Sequence, residues 1–420
     1  MEAGLENRLV KNILKLISGE GIGRAIGFVA APIVTRLYTS SDFGMLAVFA
    51  SLCALFYPFC TFKYTVAIPL HPNEIVGVNA LAACLVILAV NTVILFTALF
   101  LYHSPILSLF SSETIDSLWY YIPVAFLFSG LSDALSYYSI RYRDFSIIAK
   151  VTVVQKIIGA LTKIGLGLLH FNVVGLLIGN ILAGSGGLSL YIRNYLNRLK
   201  DNVRKVTPGR IRFILKRYIE FPSYRLPSQI LQNASGSIPV LYFAWRYGTA
   251  TTGLVSLAIS MLSVPVDIAG RSLGKAFYGE IASMRQRNSN EISSLTMRIM
   301  IRLFVISIVP FAVIICFGPG LFRTFFGPEW TQSGIYAQYL CFYLIFRFVY
   351  SPISDGIFNV YEQQKLLLWL EVSRIVIVTS SLLISYSCNF SVIHTIAIYS
   401  LALTVQYILS IIFVFHIIRK

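Results

Sequence analysis

The stretch Ile13-Leu-Lys-Leu-Ile-Ser-Gly-Glu20-Gly21-Ile-Gly23-Arg24-Ala-Ile-Gly27-Phe-Val-Ala-Ala-Pro32-Ile-Val-Thr-Arg36-Leu-Tyr38 decides how the rest of the chain reads. It is apolar and long enough to cross a bilayer, for which about 20 residues suffice. Two charges, Glu20 and Arg24, interrupt it near the middle. They are one helical turn apart with the acid first, the favoured order for an intrahelical ion pair. A charge at mid-span costs roughly 2.5–3.5 kcal/mol even on the lenient insertion scale, so it faces protein or water rather than lipid. Two readings follow: a pair lining an internal cavity, which we expect, or a neutralised pair that packs two helices together. The glycines around it do not form a dinucleotide loop, because no strand precedes them. They fit close helix packing or local flexibility.

The whole chain has the same character. Of its 420 residues 56% are hydrophobic and only 12% charged, with mean hydropathy +0.74. Soluble domains carry about 25% charged residues. The long apolar runs read as membrane-spanning helices rather than barrel strands. No short apolar stretch with a small-residue cleavage site opens the chain, so no removable signal is expected. The net charge of +16 could suggest a nucleic-acid partner. Most Lys and Arg, however, sit in loops between apolar runs, which is the pattern of membrane orientation. Cys53, Cys60, Cys84, Cys316, Cys341 and Cys388 lie scattered through apolar segments, without metal-ligand spacing or an expected disulfide.

Twelve spans are predicted, at about 13–36, 43–66, 76–102, 118–140, 147–168, 173–192, 224–245, 250–271, 296–318, 332–356, 367–387 and 393–416. Basic residues crowd alternate loops. One set holds Arg8, Lys11 and Lys15; Arg141 and Arg143; nine residues from Arg193 to Arg217; Arg271, Lys275, Arg285 and Arg287; Lys365; and Arg419 with Lys420. The other holds only Arg36, Arg246 and Arg323. The asymmetry puts both termini in the cytoplasm. It divides the chain into an N-terminal lobe (1–193), a basic linker (194–222) and a C-terminal lobe (223–420). The linker reads both as an amphipathic helix on anionic headgroups and as plain positive-inside charge.

The lobes look like repeats. Span 1 leads into Arg36-Leu-Tyr-Thr-Ser-Ser-Asp-Phe-Gly44, and span 7 into Arg246-Tyr-Gly-Thr-Ala-Thr-Thr-Gly253. At that offset Glu20 meets Gln229, Arg24 meets Asn233 and Gly27 meets Gly236. Phe128-Ser-Gly-Leu-Ser-Asp133 in span 4 similarly matches Tyr350-Ser-Pro-Ile-Ser-Asp355 in span 10. Six spans per lobe is an even number, so the repeats are parallel, a pattern known among secondary transporters.

The polar residues inside the spans are mostly cationic. Lys156 sits at mid-depth of span 5, and Lys163 follows seven residues later, within reach of the outer surface. With Thr152, Gly159 and Gly167 they form one polar and small helical stripe. A lysine at mid-depth cannot easily snorkel, so Lys156 should face water or an anion. Span 7 offers Arg225, near the cytoplasmic end, and Asn233; span 10 offers Arg347. Excess buried positive charge points to an anionic cargo, and arginine and lysine both suit a diphosphate. Arg24, Lys156, Lys163, Arg225, Asn233 and Arg347 are therefore the candidate substrate-binding residues. Glu20, Asp133 and Asp355 are candidates for ion coupling. Asp133, Asp267 and Asp355 also read as helix-helix partners, and Glu371 and Arg374 as a pair.

No catalytic constellation, cofactor motif or metal set is found. There is no Walker A run, no zinc spacing among the five histidines and no large outward loop for a glycosyltransferase or polymerase.

At Pro32-Ile-Val-Thr-Arg36-Leu-Tyr-Thr-Ser-Ser-Asp42-Phe-Gly44, followed by Tyr64-Thr-Val-Ala-Ile-Pro69, the chain resembles a family. It is similar to the polysaccharide and O-antigen flippases of the multidrug/oligosaccharidyl-lipid/polysaccharide exporter (MOP) superfamily. The motif covers about the first 70 residues, and the span pattern the whole chain. Two departures stand out: Ser40 where a turn proline is common, and Thr65 where an acid is frequent. The resemblance implies an all-α polytopic membrane protein: twelve helices in two six-helix lobes, MATE-like, around a V-shaped central cavity. It implies alternating-access movement of an undecaprenyl-diphosphate-linked oligosaccharide across the bacterial inner membrane, for O-antigen, capsule or lipopolysaccharide synthesis. The expected partners are that lipid, the surrounding membrane lipids and, transiently, a polysaccharide polymerase; the expected state is a monomer. A multidrug/cation antiporter of the same superfamily is the alternative, and it would need mainly acidic cavity groups.

Overall fold

A computed structural model of the chain describes residues 2–70, 73–107, 118–284, 289–361 and 363–419. Among these residues the secondary structure is all helical. The helices are α1 (Glu2–Leu37), α2 (Ser40–Phe56), α3 (Glu74–Leu107), α4 (Tyr121–Arg141), α5 (Phe145–Leu168), α6 (Asn172–Ser185) and α7 (Leu188–Val203). They continue with α8 (Pro208–Arg217), α9 (Leu226–Met284), α10 (Ser289–Phe326), α11 (Thr331–Val360), α12 (Gln364–Ser387) and α13 (Val392–Arg419). Nine stretches among the described residues are long and apolar enough to cross a bilayer. One of them, Phe221–Ile268, holds two predicted spans, which Gly248 separates at φ 82° and ψ 170°, a region open essentially to glycine alone. Spans 1 and 4 lie on α1 and α4, which are helical throughout.

Span 2 departs from its prediction. Its helix ends at Phe56, and two short 3-10 turns, Tyr57–Phe59 and Tyr64–Ala67, carry the chain onward. Pro58 is the cause, since it has no N–H to donate to the carbonyl of residue 54 and cannot continue the helical ladder.

The chain divides into two compact units. Unit 1 comprises Met1–Tyr38 and Met45–Ser237; unit 2 comprises Thr39–Gly44 and Ile238–Lys420. Unit 1 is built on α1, α3–α8 and most of α2. Its core gathers Tyr64, Ile68, Leu81, Tyr138, Val151 and Ile214, each less than 9% exposed. The last of these belongs to the basic linker. Ile214 turns the apolar side of α8 into the core, the Tyr64 hydroxyl donates to Leu215 O at 2.9 Å, and Arg210, Arg212 and Phe213 stay outside. The amphipathic pattern of the linker is thus satisfied, at least on this side, by protein.

Unit 2 contains a reciprocal contact between the two repeat motifs. A Cβ on Gly44 would overlap the Thr249 carbonyl, and a Cβ on Gly253 would overlap that of Ser40. The pairs 40/44 and 249/253 are the positions that the sequence repeat equates, so each motif's glycine receives the other's backbone. The Ser41 and Thr249 hydroxyls bond at 2.9 Å. The Ser40 N–H, unsatisfied at the start of α2, donates to Glu329 at 2.8 Å, and Phe43 packs edge-on to Trp330. The second repeat match also has a structural counterpart. In unit 1 the segment after α2 packs on the Ser129–Asp133 region of α4; in unit 2, Gly270 and Gly274 of α9 pack on Ser351 and Pro352 of α11.

Candidate functional site

Arg24 and Lys156 lie on the seam between α1 and α5. Two glycines create it. Gly19 rests on Ala149, and a Cβ added at Gly23 would stand 3.0 Å from Lys156 Cγ, so the lysine stem would have to shift by a few tenths of an ångström to admit it. Gly21 and Gly27 have open space on their α-carbons, so only part of the glycine run serves packing. Arg24 is close enough to Lys156 for their charges to repel, and Lys156 stands in the same relation to Lys163. The Lys156 ammonium is exposed and donates to Ala183 O at 3.3 Å, while the Lys163 stem lies along Gly179. Among the described residues no carboxylate acts on Lys156 or Lys163. The predicted stripe on α5 is therefore shared between neighbours: Thr152 and Lys156 meet α1, Gly159 and Lys163 meet α6, and Gly167 receives Tyr38. Glu20 and Arg24 are both half-buried, and neither is free of partners.

A second feature of unit 1 begins at Pro58. The Ala54 carbonyl, deprived of its helical donor, accepts from the Asn233 side-chain amide at 2.6 Å. Asn233 in turn accepts from Gln229 at 3.0 Å, and the Ser237 hydroxyl reaches Ser51 O at 3.2 Å. The start of α9 is thereby laced to α2. Between α2, α4 and this part of α9 lies a cavity of about 340 Å³. Small residues (Ala50, Cys53, Ala54, Ala125) make the room, and Tyr57, Phe126, Ser129, Gln229 and Asn233 line the rest.

Beneath it sits Asp133. Its carboxylate accepts from the Thr65 hydroxyl at 3.2 Å, and Tyr57 and the Lys63 charge lie nearby. Asp133 thus brings a carboxylate from α4 to Thr65, the position where the family resemblance implies an acid. The Lys63 ammonium stands over the Tyr57 ring at 5.1 Å. Phe62 and Lys63 are both left-handed, with φ 47° and 62°, a conformation costing of order 1 kcal/mol or more per non-glycine residue. Arg225 is exposed, with its guanidinium over Phe221 at 5.8 Å and its charge felt by Lys63.

Arg347 belongs to unit 2 and is compensated there. It pairs with Asp267 at 3.1 Å and donates to the Ser263 hydroxyl at 3.3 Å. Tyr343, Tyr399 and Tyr407 cluster beside it. Glu371 and Arg374 do pair, at 2.9 Å, with the guanidinium over Tyr407. The side chain of Asp355 lies outside the described residues. Nor do the described residues include a group of three or more metal-ligating side chains.

Of the predicted residues, the structure brings Arg24 and Lys156 together on the α1–α5 seam, sets Lys163 beside α6 within electrostatic reach of Lys156, and puts Asn233 on the cavity. Arg225 and Asp133 share the neighbourhood of Lys63, and Arg347 belongs to the other unit. Sequence reasoning missed Lys63, Tyr57, Ser129 and the role of Gln229. Pro58 was the available signal, because a proline near the end of a span frees a carbonyl four residues back, and that carbonyl must find a donor.

Comparison with known proteins follows the same lines. The sequence profile described as "Polysaccharide biosynthesis protein" matches residues 33–335. No curated protein sequence matches. Among solved structures, a lipid II flippase, MurJ, in an inward closed conformation is similar at TM-score 0.71, with 14% identity over 96% of this chain and 89% of that one. The MATE multidrug transporter DinF-BH is similar at TM-score 0.62, with 14% identity over 97% and 95%. An inward-facing multidrug resistance MATE family transporter of the MOP superfamily is similar at TM-score 0.58, with 14% identity over 95% and 98%. The fold is that of the MOP transporters, as a multi-pass membrane protein.

Proposed function

Since the chain belongs to the polysaccharide biosynthesis protein family, we propose that it is a flippase for a diphosphate-linked glycolipid. The cargo is an undecaprenyl-diphosphate-linked oligosaccharide, an O-antigen, capsule or similar repeat unit. It crosses the bacterial inner membrane by alternating access, and both termini of the protein stay in the cytoplasm.

One observation carries this reading. Lys156 and Lys163 lie in an apolar helix, close to each other, with Arg24 beside Lys156 and no carboxylate acting on either lysine among the described residues. A cluster of like charges in low dielectric is costly, and a bound dianion relieves the repulsion. Arg24 offers a planar fork for phosphate oxygens, and the lysines act as point charges. Arg225 fits a role at the cytoplasmic approach. Arg347, already balanced by Asp267, fits a later contact in which the headgroup competes with that acid. Asp133 and Glu20 are the carboxylates left for ion coupling. A cationic drug would meet repulsion at this seam, which disfavours the antiporter reading.

The test is genetic. In cells that depend on this chain for surface polysaccharide, Arg24→Ala or Lys156→Ala is expected to abolish the polysaccharide while the amount of protein in the membrane is unchanged. Unaltered surface glycan in both variants contradicts the proposal. The protein is also expected to give no protection in a drug-sensitised host.

A further inference from the structure

The cavity between α2, α4 and the start of α9 has a chemistry distinct from the cationic seam. No formally charged side chain lines it among the described residues. Its polar groups are neutral: the Ser129 hydroxyl and the side-chain amides of Gln229 and Asn233. The Gln229 amide nitrogen is committed to Gln232 and Asn233, but neither its oxygen nor the Ser129 hydroxyl has a hydrogen-bond partner among the described residues. Two rings, Tyr57 and Phe126, supply apolar surface beside them. At about 340 Å³ the space sits at the lower end of small-molecule sites.

These features belong together in one kind of ligand. A sugar ring has hydroxyls that need neutral donors and acceptors, and C–H faces that lie against aromatic rings. An acidic sugar would bring a charge with no counter-charge in the lining, at the cost of an unpaired buried ion. The lining is also held in place before any ligand arrives. Asn233 is fixed between Ala54 O and Gln229, and the Lys63 ammonium stands over the Tyr57 ring. Such preorganisation lowers the entropy cost of binding.

We propose that this cavity is a subsite for one uncharged pyranose ring of the cargo, separate from the cations that hold the diphosphate. The proposal rests on the flippase reading above, and the experiment separates the two. Two variants are made: Ser129→Ala/Gln229→Ala, which removes the two unpaired oxygens together with the Gln229 bonds to Gln232 and Asn233, and Ala50→Leu, which fills the space and removes no hydrogen bond. Surface polysaccharide is measured in producing cells at equal membrane protein, and binding of bare undecaprenyl diphosphate is measured on the purified proteins. Both variants are expected to lower surface polysaccharide by at least about tenfold, the first through the loss of two hydrogen bonds to a ligand and the second by taking up the space the ring needs. Both are expected to bind the bare carrier within about twofold of wild type. Wild-type polysaccharide in either variant overturns the subsite, since a sugar site must be sensitive to both shape and hydrogen bonding. Parallel loss of bare-carrier binding also overturns it and makes the cavity a packing feature. Failure of the wild-type protein to bind the bare carrier, or normal polysaccharide in both Arg24→Ala and Lys156→Ala, instead removes the parent reading.

Discussion

Asn233 shows how one residue acquires a task that its sequence register does not announce. The repeat equates it with Arg24, and Gln229 with Glu20. The two pairs nevertheless do different work. Arg24 lies on the seam with α5 near Lys156, whereas Asn233 satisfies the carbonyl that Pro58 leaves open at the end of α2. Asn233→Ala should therefore destabilise the protein by about 1 kcal/mol, the net worth of one hydrogen bond. The expected readout is a lower melting midpoint in detergent, with the fold retained. An unchanged midpoint would mean that water in the adjoining cavity replaces the amide completely. The Asp133 cluster makes a related point. From the sequence, Thr65 is a missing acid and Asp133 an acid of uncertain purpose. In three dimensions they are one feature, because the Thr65 hydroxyl donates to that carboxylate. Nothing local in the sequence links positions so far apart, and the left-handed backbone at Lys63 carries no composition signal either.

At the scale of helices, most of the architecture was legible. Apolar runs of membrane-spanning length have few alternatives in lipid. Each predicted span falls on helical structure, apart from the end of span 2 and a turn at Gly186 and Gly187 inside span 6. The first exception follows from Pro58. The pairing of Glu371 with Arg374 was also legible, since residues three apart share a helix face. The compensation of Arg347 by Asp267 was not, because it joins α11 to α9 across eighty residues of chain. Glycines sort into those that helices need and those they do not. Gly44 and Gly253 each receive the other motif's backbone, while a methyl group added at Gly236 would meet nothing within 4 Å. Gly44→Ala and Gly253→Ala should each cost several kcal/mol or prevent accumulation in the membrane, since backbone cannot move aside as a flexible side chain can. Gly236→Ala should be neutral or slightly stabilising, as helix propensity favours alanine by about 1 kcal/mol. Melting curves and membrane yield of the three variants check this. A tolerant Gly44 would remove the structural support for the repeat.

For the molecule as a whole, charge distribution decides between cargo classes. The net charge of +16 is mostly a matter of membrane orientation and says little about transport. The informative charges are the few that remain inside apolar helices without an opposing acid, and among the described residues of unit 1 these are Lys156 and Lys163. The sequence family is that of polysaccharide biosynthesis proteins, and the fold is similar to that of a lipid II flippase and of MATE transporters; transport itself belongs to the proposed reading. In the reading proposed above, the cations give that transport an anionic headgroup, and the neutral cavity beside α2 gives it a sugar.

The most direct test is translocation of an undecaprenyl-diphosphate-linked oligosaccharide in proteoliposomes, followed by lectin access to the sugar from the outer face. Wild-type protein should expose the glycan well above the protein-free rate, and Lys156→Ala, reconstituted in equal amount, should be slower by at least about tenfold, the scale expected for losing a charge-assisted contact. Equal rates for Lys156→Ala and wild type would contradict the claim that the cations within the spans carry the diphosphate.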